Sequence, residues 1–248
     1  MKTNLRILTL CGSLCAVSAP AYAQINYIDV THGVGGNTLG YTGGSYGTFN
    51  TFGGIGAQGG ANDGLWDVRA FGNSGTIYQN AAFGGVDNSH RLQTSVSGLT
   101  AGTYNVYAFF WVDVSDWRLQ AALSDNVGGD LPLFTRNTPG IVQYAPTGGS
   151  TTILSTDPSV NGGINPFTTA VVVAEGNRAL FRADLGQITG TSFNVFLDDD
   201  PTMTSGNQRT WIDGVGYSAV VVPEPSSLAL AGTGLMTLLM SRRFKNKK

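Results

Sequence analysis

The chain has 248 residues, 35 of them glycine, with 14 lysines and arginines against 16 acids and a formal charge of −2. That near-neutral total conceals an acidic middle: residues 24–223 hold seven arginines, no lysine and 15 acids, a formal −8. An acidic segment without lysine excludes a nucleic-acid binder, whose phosphate partners require a basic face, and sparse charge with abundant Gly, Thr, Ser and Asn suits short strands and tight turns rather than helices.

The N-terminus carries Lys2 and Arg6 with no acid, then an apolar run over residues 7–17, then Ser18-Ala19-Pro20-Ala21-Tyr22-Ala23. Basic segment, short apolar segment and small-x-small site in that order read as a helical secretory signal peptide over residues 1–23. Small side chains at Ala21 and Ala23 place the signal-peptidase cut after Ala23. Both cysteines, Cys11 and Cys15, fall inside this segment, so the exported product is expected to contain no disulfide. Leu10 and Leu14 stand before them, where a lipoprotein would need a small residue.

From Thr31 to Gly64 glycine is dense, with Tyr41, Tyr46, Phe49 and Phe52 interspersed, which fits short strands with long loops or a partly disordered arm. Two short strands are expected within residues 64–78 around Gly72-Asn73-Ser74-Gly75, and another over residues 91–96. The strongest strand runs from Thr103 to Val114. Tyr104, Val106, Ala108, Phe110 and Val112 share one face, and Asn105, Tyr107, Phe109 and Trp111 the other, so apolar character on both sides predicts a central strand. Residues 117–123 alternate cleanly and are expected to pair antiparallel with it across the Asp113 to Asp116 turn. Further strands are predicted over residues 168–174, 178–185, 192–197 and 209–222. The expected fold is all-β, an antiparallel β-sandwich of jelly-roll-like form, occupying residues 24–222.

The C-terminus reads Pro223-Glu224-Pro225, an apolar run over residues 228–240, and a basic end with Arg242, Arg243, Lys245, Lys247 and Lys248. Thirteen apolar residues make about 20 Å of helix, short of the roughly 30 Å of a hydrocarbon core. The expectation is a transient helical membrane stop, with the basic end retained in the cytoplasm. Residues 223–248 resemble the PEP-CTERM sorting signal. The resemblance implies removal of the tail by an exosortase and passage of the protein to the envelope or extracellular matrix. A looser likeness joins Thr94-Ser95-Val96-Ser97-Gly98-Leu99, the aromatic strand after Thr103, Trp117-Arg118-Leu119 and Trp211-Ile212-Asp213-Gly214-Val215-Gly216-Tyr217 to the β-sandwich modules of PEP-CTERM proteins, which are similar in outline to galactose-binding-like and carbohydrate-binding domains. It carries no binding residue onto this chain.

Aromatic side chains stack on the CH-rich faces of sugars, which makes Trp66, Tyr107, Trp111, Trp117 and Trp211 the carbohydrate candidates, against the alternative that they fill the core. Asp198-Asp199-Asp200 offers the oxygen ligands that calcium takes, but consecutive side chains diverge and the spacing matches no known calcium loop, so a solvated turn and no cofactor are expected. His32 and His90 are too isolated for zinc, and no Gly-x-Ser-x-Gly elbow occurs. The sequence therefore predicts a non-enzymatic surface or matrix protein that binds exopolysaccharide, processed by signal peptidase and exosortase and passing transiently through the inner membrane. The alternative is a secreted glycan hydrolase using paired aspartates.

Overall fold

A computed structural model describes residues 23–40, 49–52, 65–73, 77–80, 89–113, 117–127, 129–144, 151–155, 165–203 and 208–220. The segment expected to be a signal peptide, with Ala21, and the tail from Pro223 to Lys248 lie outside the described residues, as does most of the glycine-rich segment.

Fifteen strands occur among the described residues: β1 (Asn26–Asp29), β2 (Thr38–Gly40), β3 (Phe49–Phe52), β4 (Trp66–Arg69), β5 (Ile77–Asn80), β6 (Leu92–Val96), β7 (Gly102–Val112), β8 (Arg118–Ala122), β9 (Leu133–Thr135), β10 (Val142–Gln143), β11 (Thr151–Leu154), β12 (Val171–Glu175), β13 (Arg178–Gly190), β14 (Phe193–Asp198) and β15 (Trp211–Ala219). Ten form one sheet with the path β11-β12-β13-β7-β15-β5-β4-β3, to which β1 adds beside β15 and β10 beside β13; five form a second sheet ordered β2-β6-β14-β8-β9. All pairings between these strands are antiparallel except β3 with β4. One continuous core joins Val106, Phe110 and Val215 of the large sheet to Leu92, Leu119, Val195 and Leu197 of the small one. The all-β antiparallel sandwich expected from the sequence is the fold that forms.

β7 is central because both its faces and both its edges are occupied. From Val106 to Val112 every residue is buried, with β13 on one edge and β15 on the other. That leaves no edge for residues 117–123, so the hairpin expected there does not form. β8 instead lies in the small sheet between β14 and β9, and the chain changes sheets between Val112 and Arg118. Stacked sheets lie roughly 10 Å apart, within reach of a linker of this length. The same alternation recurs at the C-terminal end, where β13, β14 and β15 fall in the large, small and large sheets. With β6, β7 and β8 in the small, large and small sheets, each triplet inserts its middle strand between the outer strands of the other, β7 between β13 and β15 and β14 between β6 and β8.

β15 explains part of the Trp211 to Tyr217 pattern. β1 lies against it, with Tyr27 opposite Gly216 and Asp29 opposite Gly214. A Cβ at Gly214 would strike the Tyr27 ring and lie 2.6 Å from the Ile28 carbonyl oxygen, so a side chain there would push β1 off the sheet.

Arg91, just before β6, ties the small sheet to the loop after β8. Its Nε donates to Asp198 Oδ2 at 2.9 Å and its Nη2 to the Gly129 carbonyl at 2.8 Å, while Nη1 reaches Asp125 and the Asn126 carbonyl. Only 14% of this side chain is exposed, and Asp198 is equally covered. Truncating one member of such a pair strands the other charge in low dielectric. Arg91→Met is expected to cost about 2–3 kcal/mol in urea denaturation; a loss below about 0.5 kcal/mol would place this hub among weak surface pairs.

Candidate functional site

The sugar-stacking candidates are interior. Trp66 and Trp111 are fully buried, and Trp117, Tyr107 and Trp211 nearly so. The Trp66 indole nitrogen donates to the His90 carbonyl at 2.6 Å, and the Tyr107 hydroxyl lies 2.9 Å from Ser218 Oγ. None of the five presents an open ring face to solvent.

Trp117 and Trp211 pack with ring centroids 4.5 Å apart, and Phe71 bridges Trp211 to Trp111. Over this cluster sits the Arg178 guanidinium, 4.8 Å from the Trp211 ring, 5.7 Å from Trp117 and 5.6 Å from Phe71, the geometry of a cation–π cage. Arg69 and Arg209 lie within electrostatic range of it. Burial and the neighbouring guanidiniums pull Arg209 down from the ordinary arginine range, with Asp113 and Asp67 acting against them. For Arg69, burial outweighs the help of Asp67.

A second polar centre joins the two ends of the described chain. Asp213 is buried in β15. Its carboxylate accepts from the Asn73 backbone N–H at 3.0 Å, from Asn73 Nδ2 at 2.5 Å and from the Tyr27 hydroxyl at 3.0 Å. Asn73 in turn holds β12, its Oδ1 accepting from the Val172 N–H at 2.6 Å. Tyr27 also reaches Asp29 at 3.3 Å. Burial lifts the Asp213 carboxyl to about 6 despite the hydrogen bonds from Asn73 and Tyr27. Burial and the facing Asp213 lift Asp29 to about 8. Gly72 makes room for this knot. Its φ is +74°, and a Cβ there would run into Asp213 Oδ1 and lie 2.8 Å from Ile77 Cγ2.

The three consecutive aspartates diverge. Asp198 faces Arg91, Asp199 is fully buried, and Asp200 accepts from Arg118 Nη1 at 2.8 Å and from Thr202 at 2.9 Å (N) and 2.6 Å (Oγ1). Although burial opposes its charge, the bonds from Thr202 and Arg118 hold the Asp200 carboxyl below the usual carboxylate range. Two of the three calcium candidates are thus engaged with arginines. Among the described residues no group of three acidic, histidine or cysteine side chains is placed to hold a metal.

An open concavity among the described residues lies elsewhere, at the end of β7 and the start of β13. It has a volume of about 440 Å³, with a floor of Val112, Ala179 and Phe181 and a rim of Asp113, Arg136, Asn137, Gln143 and Asn177. Arg136, Asn137, Gln143 and Asn177 are exposed. Asn177 stands there because Gly176, at φ +58°, and Asn177 form the tight turn joining β12 to β13, with Glu175 opposite Arg178. Glycine and asparagine are the residues such a turn selects, so a turn was legible here, while its role as a groove wall was not. This arrangement supplies carbonyl and N–H groups of amides, one carboxylate and one guanidinium above an apolar floor.

Compared with known families, residues 221–243 match the model of the PEP-CTERM protein-sorting motif. The chain carries a PEP-CTERM sorting motif. The match spans Pro223-Glu224-Pro225, the apolar run and the first arginines of the basic end. The motif indicates an exported protein at the cell envelope that is processed by an exosortase. The motif lies wholly C-terminal to the sandwich. A search of curated proteins returns no match to the chain.

Proposed function

We propose that the exported form begins at Gln24 and that residues 24–222 act as a non-enzymatic module of the cell surface or extracellular matrix, binding polysaccharide in the groove at the end of β7 and β13. The groove carries this reading: amides at Asn137, Gln143 and Asn177 both donate to and accept from sugar hydroxyls, and the apolar floor suits a sugar's CH face. Hydrolysis would need two carboxyl groups roughly 5–10 Å apart across an open cleft. Asp113 is the one acid among the described groove residues. The close pair Asp29 and Asp213 is bridged by the Tyr27 hydroxyl with Asp213 sealed inside, which favours a structural knot over an acid and a nucleophile flanking a substrate.

Pull-down of the full secreted protein on a polysaccharide panel tests the reading. At least one polysaccharide should be retained, and the double variant Gln143→Ala/Asn177→Ala should weaken that binding about tenfold with the melting temperature unchanged, since both side chains are exposed. Binding indifferent to the double variant would remove the groove from the proposal. Release of reducing ends would replace it with the hydrolase.

A further inference from the structure

Charge is unevenly spread over the sandwich. Six strand ends meet at one pole: β6 ends and β14 begins there with Val96 opposite Phe193, β7 begins and β13 ends with Gly102 opposite Gly190, and β15 ends beside the start of β1 with Tyr217 opposite Asn26. The link after β6 and the link after β13 are tied together at this pole, the Leu99 N–H donating to the Thr191 carbonyl at 3.0 Å. Residues 24–28, 92–112, 185–197 and 214–222 contain no lysine, arginine, histidine, aspartate or glutamate. At the opposite ends of the same strands stand Arg91, Asp113, Arg178, Asp198 and Arg209. The first pole instead exposes Ser97, Thr100, Ala101, Thr191, Ser192 and Ala219, all small and uncharged. A segment with a formal charge of −8 thus leaves one end neutral among the described residues.

The sorting motif follows directly from the neutral pole. β15 ends at Ala219, and the match to the motif begins at residue 221. An enzyme that holds Pro223-Glu224-Pro225 on so short a link is brought against the surface around the end of β15. A charge buried unpaired between two proteins loses its hydration, and interface cores are accordingly poor in charged residues. A neutral surface of small side chains suits such close contact. A bilayer is not forced against it in the same way, because the apolar run begins at Leu228, nine residues past Ala219, a span of up to about 30 Å. We propose that the pole formed by residues 97–101, residues 190–192 and the end of β15 is a docking surface for the exosortase, a second recognition element beside the linear motif. It lies at the other end of β7 from the groove, so it does not depend on the polysaccharide reading.

Conversion of the full chain to its tail-free form in the host, followed by mass spectrometry, tests this. Thr100→Glu/Ser192→Glu places two charges on the pole at exposed positions and should slow conversion about tenfold with the melting temperature unchanged. Thr100→Lys/Ser192→Lys should slow it to a similar extent, since a protein partner excludes unpaired charge of either sign. Val127→Glu/Leu133→Glu adds the same two charges on exposed side chains, one in the loop held by Arg91 and one on β9, and should be converted like wild type. About ten Gly/Ser residues inserted between Val222 and Pro223 should restore conversion of the Glu pole variant, because a long flexible link no longer enforces the contact. The inference is overturned if both pole variants are converted at the wild-type rate, if Val127→Glu/Leu133→Glu is slowed as much as they are, or if the insertion leaves the Glu pole variant slow. Slowing by glutamate with acceleration by lysine would assign the surface to an anionic bilayer and would equally overturn it.

Discussion

Asp213→Ala is expected to destabilise the sandwich by about 3 kcal/mol and to loosen β1 first. The substitution removes a carboxylate that receives three donors, the Asn73 backbone N–H, Asn73 Nδ2 and the Tyr27 hydroxyl, in a place water does not reach. The two Asn73 donors lose this acceptor while their burial remains, at a cost on the order of 1 kcal/mol or more each, whereas the Tyr27 hydroxyl keeps the Asp213 backbone carbonyl at 2.9 Å. The damage spreads along two routes. Tyr27 loses one of its two hydroxyl contacts to β15, and Asn73 loses the anchor that orients its other contact, to Val172 at the start of β12. Urea denaturation gives the magnitude, and hydrogen exchange at the β1 amides gives the order of events. A loss under about 1 kcal/mol, or protection of β1 unchanged from wild type, would show that the knot contributes little.

The second large effect is an inverted pH dependence. Asp29 and Asp213 both hold their protons more tightly in the fold than an ordinary carboxyl does, releasing them near 8 and near 6 rather than near 3.8. In the unfolded chain both are ionised above about pH 5. Between there and pH 8 the folded state binds more protons, so stability falls as pH rises. The part belonging to Asp213 is lost as pH passes about 6 and the part belonging to Asp29 as it passes about 8. At about 1.4 kcal/mol per pH unit, Asp213 alone contributes on the order of 3 kcal/mol. Asp200 acts in the opposite direction, its depressed carboxyl withdrawing stability only as pH falls below about 4. The urea midpoint should therefore be highest near pH 5 and clearly lower at pH 8.5. In Asn-substituted Asp29 (Asp29→Asn) the decline above about pH 7 should vanish while the decline around pH 6 persists. A midpoint that rises from pH 5 to pH 8.5 would contradict this account.

The strands most legible in the sequence were those whose side chains alternate or are apolar throughout. β6, β7, β13 and β14 begin within a residue or so of the positions expected, since pattern within a strand reports burial directly. Pairing was harder to read. Residues 117–123 alternate as a hairpin partner of β7 would, yet alternation says which face is covered and nothing about which edge is free, and β13 and β15 had taken both edges of β7. Aromatic identity had the same limit: Trp66 and Trp111 have the chemistry of sugar platforms, and their complete burial follows from strands distant in sequence. The centre at Asp213 escaped because its partner Tyr27 lies 186 residues away. Gln79 and Asp67 gave no sign of burial either, being polar residues whose neighbours across β5 and β15 are set only by the assembled sheet. The sorting motif needed no assembly, since a linear recognition segment is complete in its own residues.

β15 lends its position one more meaning. Its last residue is Ala219, and Val220 still donates its N–H to the Thr103 carbonyl at 2.9 Å, so the sheet holds the chain to within one residue of the start of the sorting match. Only Val221 and Val222 separate that hydrogen bond from Pro223. At roughly 3.3–3.6 Å per residue, even a fully extended link puts Pro223 about 10 Å from the strand. The exosortase therefore meets its recognition segment on a very short leash, against the wall of a folded domain, and the bulk of that wall becomes part of what the enzyme must accommodate.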